Sequence, residues 1–166
     1  MKLFINLTFL TILSFFVFSC KQTNDTPVNP VSEVMANFGD CLENEVMAVE
    51  GDTSKTIIEY SFSNNVLTIK HLSAGFNCCF DYILVVIEVK DNVIFIKEKD
   101  IKPNCYCLCL RDIYYNIDGI SPSQYQVKII EPYLPENDTA IIFDVDLKEG
   151  ADGTVGFSRT SYPWTL

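Results

Sequence analysis

Five of the chain's seven cysteines fall between Asn77 and Ile117, as Cys78-Cys79 and then Cys105-Tyr106-Cys107-Leu108-Cys109. Between the two clusters lie two alternating runs, residues 82–90 and 93–99, joined by Asp91-Asn92. The first run sets Ile83, Val85, Ile87 and Val89 against Leu84, Val86, Glu88 and Lys90, the period of a half-buried strand. Two strands held between two cysteine clusters constrain the fold more than any other feature of the chain.

The same period continues on both sides. Residues 56–63 and 66–72 flank Asn64-Asn65, a hairpin signal because asparagine tolerates the positive φ of a tight turn. Pro103-Asn104 breaks the chain, and 105–117 reads as a long strand ended by Asp118-Gly119. A strand at 124–131, a loop at 132–137 and a strand at 139–147 follow, the last with Ile141, Phe143, Val145 and Leu147 inward. A Gly-rich turn at 148–153 leads to a short strand at 154–158. Residues 35–51 read instead as a short helix or irregular cap, its apolar face interrupted by Gly39. The aromatic tail with Tyr162 and Trp164 is expected to pack back on a sheet. Short strands punctuated every eight to twelve residues indicate an all-β sandwich.

At 166 residues the chain has the length of one domain. Its 48% hydrophobic and 20% charged content exclude disorder as its general state. A formal net charge of -10 repels phosphate, so no nucleic-acid partner is expected, nor an anionic membrane bound by charge. Met1-Lys2 followed by an apolar run to Phe18 reads as a signal peptide over residues 1–19. Val17-Phe18-Ser19-Cys20 resembles the lipobox of bacterial lipoproteins, with Val17 where leucine is usual. The resemblance implies cleavage before Cys20, acylation of its sulfur and anchorage in the membrane. Lys21 follows where an aspartate often marks inner-membrane retention, so an outer-membrane, cell-envelope location is implied. The polar, Pro-containing stretch through residue 34 reads as a flexible tether after the lipidated Cys20 (20–34), leaving one domain at 35–166.

Residues 117–129, with Asp118-Gly119, Pro122 and Tyr125, resemble the corner of immunoglobulin-like and fibronectin type III-like domains. There a tyrosine at a strand's start hydrogen-bonds the backbone behind it. The resemblance implies an Ig-like antiparallel β-sandwich of about seven strands, with Tyr125 at the corner and Val127 and Ile129 in the core. In such sandwiches the strands at 66–72 and 105–117 are antiparallel neighbours, so the two cysteine clusters should meet at one pole. Without Cys20, six cysteines remain: Cys41, Cys78, Cys79, Cys105, Cys107 and Cys109. An even number in an exported domain reads as structural disulfides. The expectation is that two bridges join Cys78 and Cys79 to the 105–109 segment and Cys41 takes the remaining partner. Fifteen connectivities are formally open. The competing reading is a thiolate metal or redox site formed by Cys78, Cys79, Cys105, Cys107 and Cys109 near His71. Its spacing, C-C and C-x-C-x-C, is unlike that of zinc sites.

No catalytic set emerges, because the single histidine has no placed nucleophile; no enzyme activity and no cofactor are expected. His71 reads as an ordinary strand residue on the face of Leu67 and Ile69. Asp144, Asp146, Glu149 and Asp152 read as a solvated edge, since Lys148 interrupts any calcium loop. Glu98, Asp100 and Asp112 imply no pocket. Asp138-Thr139-Ala140 resembles the acceptor triplet for O-glycosylation in some Gram-negative envelope proteins. The chain resembles small cysteine-bearing outer-membrane lipoproteins with immunoglobulin-like domains. What that implies is a non-catalytic module that binds a protein or glycan through its stapled pole, and a membrane only through the lipid.

Overall fold

A computed structural model describes residues 32–42, 55–136, 138–161 and 163. The expected signal peptide, Cys20, most of the tether, Tyr162 and Trp164 lie outside these residues.

The described residues form nine strands: β1 (Ser32–Phe38), β2 (Lys55–Ser63), β3 (Val66–Asn77), β4 (Tyr82–Lys90), β5 (Val93–Ile101), β6 (Leu108–Asp118), β7 (Ser123–Ile130), β8 (Ile141–Leu147) and β9 (Ala151–Ser158). The β2–β3 hairpin turns through Asn64 and Asn65 at φ 53° and 61°. Asp91 and Asn92, at 51° and 60°, do the same between β4 and β5. Two successive left-handed residues match the twist of the flanking strands, and Asn and Asp pay little for that conformation.

The strands make one mixed sheet in the order β8-β7-β5-β4-β1-β6-β3-β2-β9, nearly closed into a barrel. Pairing is antiparallel except between β5 and β7. β1 joins the two halves of the sheet, pairing with β4 through residues 32–36 and with β6 through Asn37 and Phe38. At the opposite seam β8 and β9 are linked by a tight turn, closed by Ala151 N–H to Lys148 O at 2.8 Å. Between these two strands the interior is filled by Tyr60, Phe143 and Phe157, with ring centroids 6.1 and 6.2 Å apart in succession. Gly153 makes room for this wedge, since a Cβ there would lie 2.6 Å from the Tyr60 hydroxyl.

The all-β expectation holds, but the arrangement departs from a seven-stranded, two-sheet sandwich. In that fold the strand at 124–131 would lie beside the one at 82–90. Here β1 occupies the free edge of β4, so β7 pairs with β5 instead. The chain leaves β5 at the cysteine pole, crosses to the far end through β6 and returns as β7, which therefore runs parallel to β5. The local corner is nonetheless present: Tyr125 donates its hydroxyl to Ser121 O at 3.1 Å, with Val127 and Ile129 buried. Residues 35–38, expected in a helix or cap, belong to β1, which also takes in Ser32, Glu33 and Val34 from the stretch read as tether. The expected strand at 105–117 begins only at Leu108, because Cys105 and Cys107 leave the ladder to meet Cys79 and Cys78.

Alternation puts Ile58, Leu67, Ile69, Ile83, Ile94 and Ile113 wholly inside. Each such side chain contributes about 1.5–3 kcal/mol on burial. A bulge between His71 and Ala74 inserts one residue in β3, with Ser73 at φ 57° and its N–H donated to Asp112 Oδ1 at 3.0 Å. It keeps His71 and Phe76 both facing inward on a strand that period two alone would have set on opposite faces.

Candidate functional site

β3 and β6 are the antiparallel neighbours on which the meeting of the cysteine clusters depends, and their register continues to Asn77 opposite Leu108. All six cysteines there are bridged: Cys41–Cys109, Cys78–Cys107 and Cys79–Cys105, with Cα separations of 5.7, 5.4 and 5.7 Å. Backbone bonds run alongside, from Cys78 N–H to Cys107 O at 2.9 Å and from Asn104 N–H to Cys79 O at 3.0 Å. Asn77 stitches the same loops, donating Nδ2–H to Cys105 O at 2.7 Å and accepting Cys79 N–H at 2.8 Å. Tyr106, between two half-cystines, cannot turn back onto the sheet and stands fully exposed.

Arg111 organises the flank of this pole. Its guanidinium donates to Gly39 O at 2.8 Å and Cys78 O at 3.3 Å. It also lies 5.0 Å from the Phe80 ring centroid and 5.7 Å from that of Phe38. The two rings meet edge to face at 4.9 Å. One cation thus ties the end of β1 to the loop after β3.

Beneath the pole the barrel interior is charged. His71 Nδ1 lies 3.0 and 3.1 Å from the two oxygens of Glu98, and Nε2 lies 2.8 Å from Thr56 Oγ1 and 3.4 Å from Glu131 Oε1. Tyr115 donates its hydroxyl to Glu98 Oε1 at 3.0 Å. Arg159 closes the set, donating to Glu131 Oε2 and to Thr139 O. All of these ionisable groups, Tyr115 included, are at most 6% exposed and sit on strands or strand ends far apart in sequence. Burial alone would lower the His71 pKa, but the Glu98 charge, with hydrogen bonds to Glu131 and Glu98, raises it to about 9. The imidazole is therefore an imidazolium at neutral pH. Two carboxylates and two cations then balance, as a low-dielectric interior demands. Burial, followed by the neighbouring Glu98 charge, pushes the Tyr115 phenol well above its usual range, so it remains a donor.

Two residues past Glu98 on the same face of β5, Asp100 accepts Tyr133 O–H at 2.6 Å and Asn77 N–H at 3.2 Å. Burial and this bond hold the Tyr133 phenol at about 12. Asp100 thus ties β5 to Asn77 and Tyr133 beside the loops that carry the bridges.

These contacts revise several sequence readings. His71 does share the inner face of Leu67 and Ile69, but it is the hub of an ion network rather than a plain strand residue. Glu98 is buried and paired, whereas Asp100 and Asp112 bond loop and bulge N–H groups. Asp144 and Asp146 project outward from β8, as a solvated edge does. Residues 159–161 are held by Arg159 and by Asp138, which accepts Thr160 N–H at 3.1 Å and Ser161 O–H at 2.5 Å. Glu131, Arg111 and Arg159 carried no signal in the sequence; each looked like an ordinary surface charge. Among the described residues, the one group with metal-ligand spacing is Cys41, Cys78 and Cys109, whose sulfurs lie within 4.8 Å of one another. As disulfides these sulfurs are not the thiolates that bind metals. His71 is fully buried among its partners Glu98 and Thr56.

The chain matches no protein family, no curated protein and no solved structure.

Proposed function

We propose that this chain is a non-catalytic, lipid-anchored module of the bacterial cell envelope whose disulfide-stapled pole binds a protein or glycan partner. One observation carries this reading: three bridges converge on the pole and hold Tyr106 outward on a segment too constrained to collapse. A side chain displayed without conformational freedom loses little entropy on binding, and tyrosine is among the residues that dominate interfaces. Three bridges also suit an oxidising compartment, in keeping with export and the lipobox at Cys20. The immunoglobulin-like ancestry of the fold is supported by the Tyr125 corner and by the β3–β6 pairing. The β5–β7 pairing and the places of β1 and β9 in the sheet depart from that pattern.

The test is photo-crosslinking in the cells that export the protein, with a photoreactive residue at position 106 or, as control, at Asp152 on β9. Adducts specific to position 106 that vanish in Cys78→Ser/Cys107→Ser support the reading; equal labelling at both positions, or none, sinks it. A metal- or redox-handling role at the same cysteines requires open bridges. Alkylation without reductant, with metal analysis of the same sample, separates the two: four or more free thiols with stoichiometric metal would replace the binding-module reading.

A further inference from the structure

The bridges at the pole differ in access and surroundings. Cys107 is exposed, whereas its partner Cys78 is half-buried. The sulfurs of Cys41, Cys78 and Cys109 all lie within 4.8 Å of one another, so Cys78 sits beside the bridge between Cys41 and Cys109. Arg111 singles out one sulfur of that second bridge, donating to Cys41 Sγ at 3.1 Å. The guanidinium also holds Cys78 O and Gly39 O, so this buried cation is fixed between the two bridges. An exposed sulfur, a partner sulfur beside a second bridge and a cation on one end of that bridge give the set a direction.

We propose that the pole is a disulfide relay, in which a low-molecular-weight thiol that enters at Cys107 sets free a thiolate at Cys41. The incoming thiolate attacks Cys107 Sγ, the sulfur open to solvent, because access decides which end of a bridge reacts. A mixed disulfide forms on Cys107, the Cys78–Cys107 bond breaks and its electron pair leaves on Cys78. Cys78 then attacks Cys109 Sγ: the Cys78–Cys109 bond forms, the Cys41–Cys109 bond breaks and the pair leaves on Cys41. The leaving group selects Cys109 as the point of attack, since Arg111 stabilises a thiolate on Cys41 and a stabilised thiolate is expelled faster. One thiol is consumed, its proton goes to solvent and the number of disulfide bonds is conserved. The relay starts from closed bridges, unlike a metal or redox centre built of free thiols.

Exchange needs three sulfurs nearly in line, and Cys78 lies beside the second bridge rather than at its end. Released from Cys107, it reaches that line by turning about its own side chain. Cys78 follows Asn77, which pairs with Leu108, so it stands two positions out of register with Cys109. Diagonal neighbours of this kind have Cα atoms about 7–8 Å apart, slightly beyond a bridge's reach, so closing the new bond draws in the loop after Asn77. The same step cuts Cys41 from β6 while Cys79–Cys105 stays closed, so the pole changes shape without coming apart. As a control on the pole that carries Tyr106, the relay rests on the binding reading above; its chemistry does not.

The experiment treats the exported full chain, bridges intact, with a small excess of 2-mercaptoethanol and traps free thiols with N-ethylmaleimide. The bridges are then mapped by mass spectrometry. Cys41 should be the first thiol trapped, in molecules that carry the mercaptoethanol adduct on Cys107 and a Cys78–Cys109 bridge. Arg111→Gln should slow the trapping of Cys41 about 10-fold, and Arg111→Lys, which keeps the charge, should recover most of the rate. Cys78→Ser with Cys107→Ser removes the entry, so Cys41 should resist the same treatment. Near-UV circular dichroism checks the fold of each variant, and the wild-type map decides alone if a variant misfolds. Trapping of Cys78 with Cys41–Cys109 intact, first opening at Cys79–Cys105, or no opening at all overturns the relay. Equal release of Cys41 from the Cys78→Ser/Cys107→Ser variant overturns it as well. None of these outcomes alters crosslinking from position 106 in the untreated protein, so the binding reading stands or falls separately.

Discussion

The chain has a single histidine, and its buried charge makes the fold's stability depend on pH in a defined direction. The His71 pKa is about 9 in the folded protein against 6.5 in an unfolded chain. A group raised on folding contributes its full stabilisation below pH 6.5 and loses it as pH climbs through about 9. The shift corresponds to about 3 kcal/mol. Between pH 6 and pH 9.5 the urea midpoint should therefore fall by about 1 M or more, and the melting temperature by about 10 °C. The histidine can be watched directly, since one imidazole gives one set of NMR signals: it should stay protonated through pH 8. His71→Gln removes the linkage, so its stability should be flat over that window and lower than wild type at pH 6 by about 3–5 kcal/mol, with a cation lost from a buried network. An imidazole that titrates near 6.5, together with a wild-type stability that does not change across the window, would refute the account.

Three further outcomes follow from the same geometry. Glu98→Gln keeps the oxygen that Tyr115 and His71 contact but removes the leading favourable charge, so the NMR pKa of His71 should drop clearly; an unchanged value would mean that Glu98 does not hold the proton. Cys79→Ser with Cys105→Ser opens one bridge at the pole and should cost about 2–5 kcal/mol in chemical denaturation, with near-UV dichroism changing at the pole. Gly153→Ala drives a methyl into the Tyr60 ring at the β8–β9 seam and should cost about 1–3 kcal/mol, relieved when Tyr60→Leu is added; no loss in thermal melting would show that the seam is loosely packed.

Local chemistry was legible where it is local. Asn64-Asn65 and Asp91-Asn92 announce their turns because the φ preference belongs to the residues themselves, and both hairpins form as those pairs require. The inward sets of β2, β4 and β8 follow from alternation, which needs only that one face of a strand be buried. The Tyr125 corner was legible through the resemblance of residues 117–129 to immunoglobulin-like domains, and its hydroxyl reaches Ser121 O as that resemblance implies. β1 was not visible: Ser32–Phe38 carries a weak pattern and becomes a strand because β4 and β6 offer it two edges to pair with. Nor does alternation name a strand's neighbour, so the β5–β7 pairing had to come from the chain's path through β6.

The cysteines mark a cross-linked pole in the sequence, but Glu98, Glu131 and Arg159 look there like surface charges on three unrelated segments. Only closure of the sheet carries them inside and around His71, and only together do they balance. A charge's burial depends on every strand that surrounds it. Sequence alone determined the turns, the faces and the places available for cross-links; tertiary structure decided strand order and the buried network, because both depend on residues that meet only when the sheet closes.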